Sequence, residues 1–190
     1  MPMQQSTIFP YGQYFQSFIV PYMDDWVDVV SDGNGGFRVI AHFIHGDQNR
    51  WPDIRHSLWL ELRWRWEMYR PIMGTRERQD EVMQSLEHWG PGGCGSRHWM
   101  LVPETLFLIA NAFNVCVALI SKTGPLTVLP LDLQNNRGKN VIAIGHLKSI
   151  EHFIAMASRY LLCIHRGEAL ESRLKNWVEY QSNSTSQSND

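Results

Sequence analysis

The fold is decided by the stretch Asp32-Gly33-Asn34-Gly35-Gly36-Phe37-Arg38, which lies where a strand-like pattern gives way to a helical one. Three of the four positions 33–36 are glycine, which costs conformational entropy unless the backbone bends sharply or another group approaches it closely. A helix that begins here presents unpaired backbone N–H groups, and its dipole favours negative charge at that end. A tight turn with no chemical role explains the glycines equally well, so the glycines alone do not establish a site.

Regular elements can be predicted on both sides of this stretch. Residues 26–30 (WVDVV) predict a short strand, and residues 37–44 predict a helix with one apolar face. A longer helix opens at Trp51, with Asp53 as its predicted cap and apolar residues at three- and four-residue steps as far as Tyr69. Two further helices are predicted over Thr75–Trp89 and Pro103–Phe113, and the residues between them include a glycine-rich loop, 90–96.

The pattern changes to strands after Phe113. β-Branched and apolar runs separated by turn residues predict four strands, over Val115–Ile120, Leu126–Leu131, Val141–Ile144 and Phe153–Ala157. A last helix is predicted over Arg159–Tyr180. Short connections favour antiparallel pairing, because a parallel return needs a crossover of about a dozen residues or more. The sequence therefore predicts an α+β fold with a small antiparallel sheet flanked by helices.

Composition excludes several classes of function. Hydrophobic residues make up 44% of the chain and charged residues 19%, which is typical of a globular domain. A net charge of −2 provides no positive field for nucleic acid, and no apolar run is long enough to span a bilayer. The N-terminus lacks the pattern of a secretory signal, and three widely spaced cysteines do not form a disulfide framework. We therefore expect a cytoplasmic or nuclear protein with no nucleic-acid or membrane partner.

The chain divides into three parts. We expect an N-terminal extension over residues 1–14 and a single domain with a C-terminal helix over residues 15–180. Residues 181–190 (QSNSTSQSND) contain no apolar residue and predict a disordered polar tail. The first dozen residues are a weaker case of the same kind, so both ends of the chain are expected to be mobile.

The central stretch resembles the signature of the ovarian-tumour (OTU) family of cysteine proteases, Asp-Gly-Asn-Cys followed by Gly, Phe, Arg and a helix. The resemblance is closest to the OTU-like group in plant and fungal transposable elements and their domesticated relatives. It extends in order over roughly residues 16 to 157. The other blocks that agree are Phe18–Tyr22, Asp28–Val30, Trp51 with Arg55, His98–Met100, Pro103–Val117, Ile144-Gly145 and His152–Ile154.

The resemblance implies an OTU-type papain-like fold and a site for a ubiquitin tail. His152 stands at the general-base histidine, and Asp32 at the acidic residue that opens the nucleophile loop. This loop and His152 are expected to face each other across a cleft. The oxyanion and substrate-binding positions implied by the resemblance are Gly33, Asn34, Gly36 and Trp99. The resemblance implies no metal and no cofactor.

The nucleophile is the point of departure from the family. The resemblance implies a cysteine at position 35, where this chain has glycine. A cysteine at a helix N-terminus beside an imidazole attacks the carbonyl carbon as a thiolate, and glycine has no side chain that can do this. The predicted function is therefore a pseudo-deubiquitinase, which binds ubiquitin or a ubiquitin-like modifier without cleaving it.

Two alternatives stay open at the level of sequence. The chain is an active deubiquitinating cysteine protease if Gly35 is an engineered replacement of a natural cysteine, or if Cys94 supplies the thiol. It is a scaffold or self-assembly protein if the cleft is vestigial. The position two residues after the histidine, where many OTU enzymes have Asp or Asn, is Ile154. That leaves Asp32, or a backbone carbonyl, to orient the imidazole.

Two other patterns have simpler interpretations. The groups His42, His45, Cys94 and His98 lack the tight spacing of a structural zinc site, so no metal is predicted. The run Arg63-Trp64-Arg65-Trp66 interleaves bases and aromatic rings, as some nucleic-acid surfaces do. An amphipathic helix whose long side chains cover the rim of the core is the favoured interpretation of that run.

Overall fold

The structure is a computed structural model that describes residues 9–20, 23–131 and 140–158. Five α-helices lie within these residues: α1 (Gly35–His45), α2 (Trp51–Trp64), α3 (Trp66–Met73), α4 (Arg76–Leu86) and α5 (Glu104–Phe113). None of the described helices is long and apolar enough to cross a bilayer. The predicted last helix and the predicted polar tail lie outside the described residues.

The helices largely follow the apolar periodicity of the sequence. The prediction that failed is the unbroken helix from Trp51 to Tyr69: Arg65 has φ −119° and ψ 31°, which is not helical and separates α2 from α3. Asp53 lies inside the first turn of α2, and Arg50 precedes the helix. Trp64, next to the break, is 78% exposed.

The sheet contains five strands within the described residues: β1 (Met23–Asp28), β2 (Cys116–Ser121), β3 (Leu126–Val128), β4 (Val141–Leu147) and β5 (His152–Ser158). Their order is β1-β5-β4-β2-β3, and β2 pairs with β4 in parallel while the other pairs are antiparallel. The prediction of a purely antiparallel sheet is therefore wrong. The chain between β2 and β4 includes β3, which runs antiparallel to β2 and brings the chain back to the end of the sheet where β2 begins.

Side chains from β5 alternate between two apolar clusters. Phe153 and Ala155 belong to the main core with the helices, whereas Ile154 and Met156 belong to a second cluster on the other face of the sheet. Residues 9–20, here called the N-terminal segment, cover that second face with apolar and aromatic side chains. Phe9 and Tyr11 are among these side chains, whereas the expectation that the first dozen residues are mobile stays a prediction.

Gly145 in β4 explains how the N-terminal segment approaches the sheet. A Cβ atom at this position would lie 2.6 Å from Cγ1 of Ile154 and 3.0 Å from Cζ of Phe15, both too close for an undistorted contact. Phe15 itself is 4% exposed. The missing side chain at 145 therefore makes the space in which Phe15 packs.

Candidate functional site

Position 35 and His152 are brought together where α1 meets β5. Gly35 is the first residue of α1 and is buried. A Cβ atom built on Gly35 would have atoms of Phe153 as its nearest neighbours, and one of them, the backbone nitrogen bonded to His152, is 3.9 Å away. A side chain at position 35 would therefore lie beside the His152–Phe153 peptide, at the end of α1 where the N–H groups have no partners within the helix.

The imidazole of His152 is held by a carboxylate from a distant strand. Nε2–H of His152 donates to Oδ1 of Asp28 at 2.7 Å, and Asp28 is the last residue of β1, the strand that pairs with β5. The other oxygen of Asp28 accepts from the Tyr11 hydroxyl at 2.5 Å. Partial burial acts to raise the pKa of Asp28, but the bonds from Tyr11 and His152 outweigh it and lower that pKa. Asp28 is therefore ionised at neutral pH and fixes the imidazole.

Asp32 has a different role from the predicted one. Its carboxylate binds Nη2 of Arg38 at 2.6 Å and accepts from the backbone N–H of Asn34 at 3.0 Å. Burial acts to raise the pKa of Asp32, and the guanidinium of Arg38 with the Asn34 N–H more than offsets this and lowers the pKa. The expectation that Asp32 orients His152 is wrong, because a basic side chain six residues away takes the carboxylate. Asp32 instead holds the loop before α1 in shape.

Gly33 is the position in this loop that requires glycine. Its φ is +86°, and a Cβ atom would lie 2.3 Å from the carbonyl oxygen of Cys94 and 2.9 Å from Nε1 of Trp99. The backbone N–H of Cys94 donates to the carbonyl oxygen of Asp32 at 2.8 Å. The glycine-rich loop 90–96 therefore packs directly on the loop that precedes α1.

Arg55 connects these loops from inside the protein. It is fully buried, and its Nη2 donates to Oδ1 of Asn34 at 2.7 Å and to the carbonyl oxygen of His98 at 2.8 Å, while Nη1 donates to the carbonyl of Ser85. The guanidinium lies 3.8 Å over the ring of Phe37. Burial lowers the pKa of Arg55 to about 10, so the side chain keeps its charge at neutral pH. The family resemblance includes Arg55 without assigning it a role.

Cys94 does not have the surroundings of an activated nucleophile. Its Sγ contacts Nη2 of Arg55 at 3.4 Å, Oδ1 of Asn34 at 3.5 Å and the carbonyl of His98 at 3.8 Å. Burial raises the pKa of this thiol in spite of the nearby Arg55 charge. Since the partners are a guanidinium, an amide and a carbonyl, no imidazole takes up the thiol proton.

The other predicted oxyanion and substrate-binding positions differ in their exposure to solvent. Asn34 is fully buried: its side-chain amide donates to the carbonyl of Gly92 and its backbone N–H donates to Asp32, so both donors are already used within the protein. Gly36 is buried against Sδ of Met100. Trp99 is 36% exposed, with its Nε1 close to Gly33. Among the described residues, no group of three or more His, Cys, Asp or Glu side chains is arranged to hold a metal ion.

Comparison with solved structures identifies the architecture. The OTU domain of OTUD1 aligns with a TM-score of 0.53 at 15% identity, over 70% of this chain and 85% of that one. The OTU protease of Qalyub virus aligns with a TM-score of 0.53 at 12% identity, over 78% of this chain and 87% of that one. The fold is that of the OTU domains. The predicted α+β, OTU-type papain-like fold is thereby confirmed.

A third OTU structure has a bound partner. The Hazara virus OTU, solved bound to ubiquitin, aligns with a TM-score of 0.50 at 12% identity, over 70% of this chain and 80% of that one. No family model and no curated protein matches the sequence. At these identities the likeness to the OTU domains is one of fold.

The two glycines of the loop and helix start should respond differently to alanine. Gly33→Ala is expected to lower the free energy of unfolding by about 2 kcal/mol or more, because a Cβ atom meets backbone and φ is positive. Gly35→Ala is expected to leave stability unchanged or raise it by up to about 1 kcal/mol, because its Cβ makes ordinary contacts. Urea unfolding of the two variants measures the difference, and equal effects would show that position 35 also needs glycine.

Proposed function

We propose that this chain is an OTU-fold domain that binds ubiquitin or a ubiquitin-like modifier without cleaving it. The observation that carries the proposal is Gly35, a residue without a side chain beside the His152–Asp28 pair and at the N-terminus of α1. The run of residue blocks from about 16 to 157 supports a place in the OTU-like group of transposable elements and their domesticated relatives.

The absence of cleavage follows from the chemistry of position 35. Hydrolysis by this fold needs a thiolate beside the imidazole, and glycine has no atom beyond Cα. The backbone does not demand glycine there, since a Cβ atom would have Phe153 atoms at 3.9 Å as its nearest neighbours. The two described cysteines offer no replacement, because Cys94 has a raised pKa among its own partners and Cys116 is buried in β2.

Retention of binding is supported by the surroundings of position 35. The Asp32 loop, Arg55 and the glycine-rich loop form one hydrogen-bonded unit, which we take as one wall of the predicted cleft and which needs no side chain at position 35. Trp99 presents a large, partly exposed ring beside this wall, and aromatic rings of this kind dominate binding energy in many interfaces. One neighbour of the same fold was solved bound to ubiquitin.

Titration of isotope-labelled ubiquitin with the full chain tests the proposal. We expect saturable shifts that correspond to a Kd in the micromolar range, on the order of −6 to −8 kcal/mol. Trp99→Ala is expected to weaken binding about tenfold, whereas Trp64→Ala, which removes a more exposed ring at the end of α2, should not change it. No association with ubiquitin at several hundred micromolar would overturn the proposal for this modifier.

The alternatives give other results in the same samples. If Cys94 supplies the thiol of an active protease, the unaltered protein cleaves di-ubiquitin, and replacement of His152 stops the cleavage. If Gly35 stands in for a natural cysteine, only the Gly35→Cys chain cleaves it. If it is a scaffold with a vestigial cleft, light scattering finds a stable oligomer and the ubiquitin spectrum does not change. Under the proposal, di-ubiquitin is bound and recovered intact.

A further inference from the structure

The second oxygen of Asp28 connects the His152 pair to a part of the chain outside the family resemblance. Oδ1 of Asp28 accepts from His152 and, at 2.9 Å, from the backbone N–H of Val29. Oδ2 accepts from the hydroxyl of Tyr11. The Asp28 side chain is 51% exposed, and the His152 and Val29 donors hold only its first oxygen. Tyr11 is therefore the side chain that restrains its second oxygen.

The N-terminal segment is anchored well enough to deliver this hydroxyl. Phe9 packs edge-on against Trp26 with ring centroids 5.0 Å apart, and it lies 5.7 Å from the ring of Phe15. Phe15 in turn occupies the space over Gly145. The ring of Tyr11 also borders the imidazole, at 6.2 Å between the centroids of Tyr11 and His152.

The hydrogen-bond directions are consistent along the chain of three groups. The bond to the Asp28 carboxylate raises the pKa of Tyr11 to about 12, so its hydroxyl stays protonated and donates throughout the neutral range. Asp28 accepts from both neighbours, and His152 uses Nε2–H for its bond. In the neutral imidazole this leaves Nδ1 without a proton, as a base needs.

From this arrangement we infer that Tyr11 is a positioning residue: it fixes the Asp28 carboxylate and, through it, the tautomer and orientation of His152. The N-terminal segment is thus a working part of the site rather than an extension to the domain. The inference does not depend on ubiquitin being the partner, because it concerns the groups of this chain alone.

The variant Tyr11→Phe tests the inference, because it removes one hydroxyl and keeps the ring. Tyr14→Phe is the matched control, since Tyr14 lies in the same segment while the described hydrogen bonds to Asp28 come from other groups. Both changes are made in a Gly35→Cys chain, and alkylation of the introduced thiol by iodoacetamide is followed from pH 5 to 9 with the site located by mass spectrometry. We expect Tyr11→Phe to slow alkylation near pH 6.5 about tenfold, whereas Tyr14→Phe does not.

A second measurement uses the chain with Gly35 in place. The Nε2–H proton of His152, held by Asp28, is expected to give a downfield imidazole resonance in proton NMR. This resonance should be lost to exchange in Tyr11→Phe and in Asp28→Asn, and retained in Tyr14→Phe. The urea unfolding midpoints of Tyr11→Phe and Tyr14→Phe should be equal, which shows that the difference is not one of stability. Identical alkylation profiles for Tyr11→Phe and Tyr14→Phe would overturn the inference. If the Gly35→Cys chain does not fold, the NMR measurement decides, and a retained resonance in Tyr11→Phe overturns the inference. Neither measurement involves ubiquitin, so failure of the proposed function would be seen separately.

Discussion

Replacement of Gly35 by cysteine is expected to raise the rate of reaction with a ubiquitin electrophilic probe by at least about 10³-fold over the unaltered chain. A Cβ atom fits at this position, with Phe153 atoms at 3.9 Å. The new thiol would lie next to the His152–Phe153 peptide and at the N-terminus of α1, where the helix end lowers a cysteine pKa. Because the His152–Asp28 hydrogen bond is already present, one substitution adds the thiol that is missing under the proposed function. Mass spectrometry of the labelled chain measures the outcome.

Three controls make this result specific. Gly35→Ser adds a side chain of similar size without a thiol and should remain unlabelled. The double variant Gly35→Cys, His152→Gln keeps the thiol and loses the base, and should lose most of the gained rate. Cys94 is an internal control, because it is a partly buried thiol with no imidazole partner. A folded Gly35→Cys chain that binds ubiquitin and is not labelled would show that the site is unfit for catalysis in more than its missing sulfur.

The largest expected effect on stability belongs to Arg55. Arg55→Met is expected to reduce the free energy of unfolding by about 3–5 kcal/mol, a large part of the roughly 5–15 kcal/mol typical of a domain. Methionine fills much of the volume, but the carbonyl groups of Ser85 and His98 then lose a buried donor. Arg70→Met on α3 removes a 70% exposed guanidinium paired at 3.6 Å with Glu67, and should change stability by no more than about 0.5 kcal/mol. Urea unfolding monitored by tryptophan fluorescence measures both.

Arg55→Lys separates charge from geometry in this prediction. An ammonium group keeps the charge but cannot reach Asn34, Ser85 and His98 from one point with the directions of a guanidinium. We therefore expect a loss nearly as large as that of Arg55→Met. Full stability of Arg55→Lys would mean that a buried positive charge, rather than the three directed bonds, holds the loops together.

The elements of the fold could largely be predicted from local patterns. The helical periodicity around α1 and the β-branched runs of β2 and β4 depend on neighbouring residues alone, and these elements lie close to where the sequence predicts them. The pairing of β2 with β4 could not be derived in this way. It depends on which edge of β2 the chain returns to after β3, and no local pattern encodes that choice.

The residues of the candidate site could likewise be predicted from local sequence only in part. Gly35 and His152 could be predicted as site residues because each lies in a short block that resembles the family. Asp28 could not be assigned, since it is 124 residues from His152 in sequence and meets it only because β1 and β5 are neighbours in the sheet. Asp32 is the natural candidate by its place in the motif. The nearby guanidinium of Arg38 already engages that carboxylate, which short-range charge pairing would have indicated.

The space that Gly145 leaves beside β4, because it has no side chain, has a consequence for comparisons with other chains of this architecture. A bulkier residue at the equivalent point of a relative would first meet the neighbours equivalent to Ile154 and Met156 in β5, and a leading aromatic ring would dock there only after shifting away from the sheet. In such a relative we expect a leading tyrosine to lie farther from the carboxylate that holds the histidine. The size of this one residue in the middle of the sheet is therefore the feature to compare with the path of the leading residues.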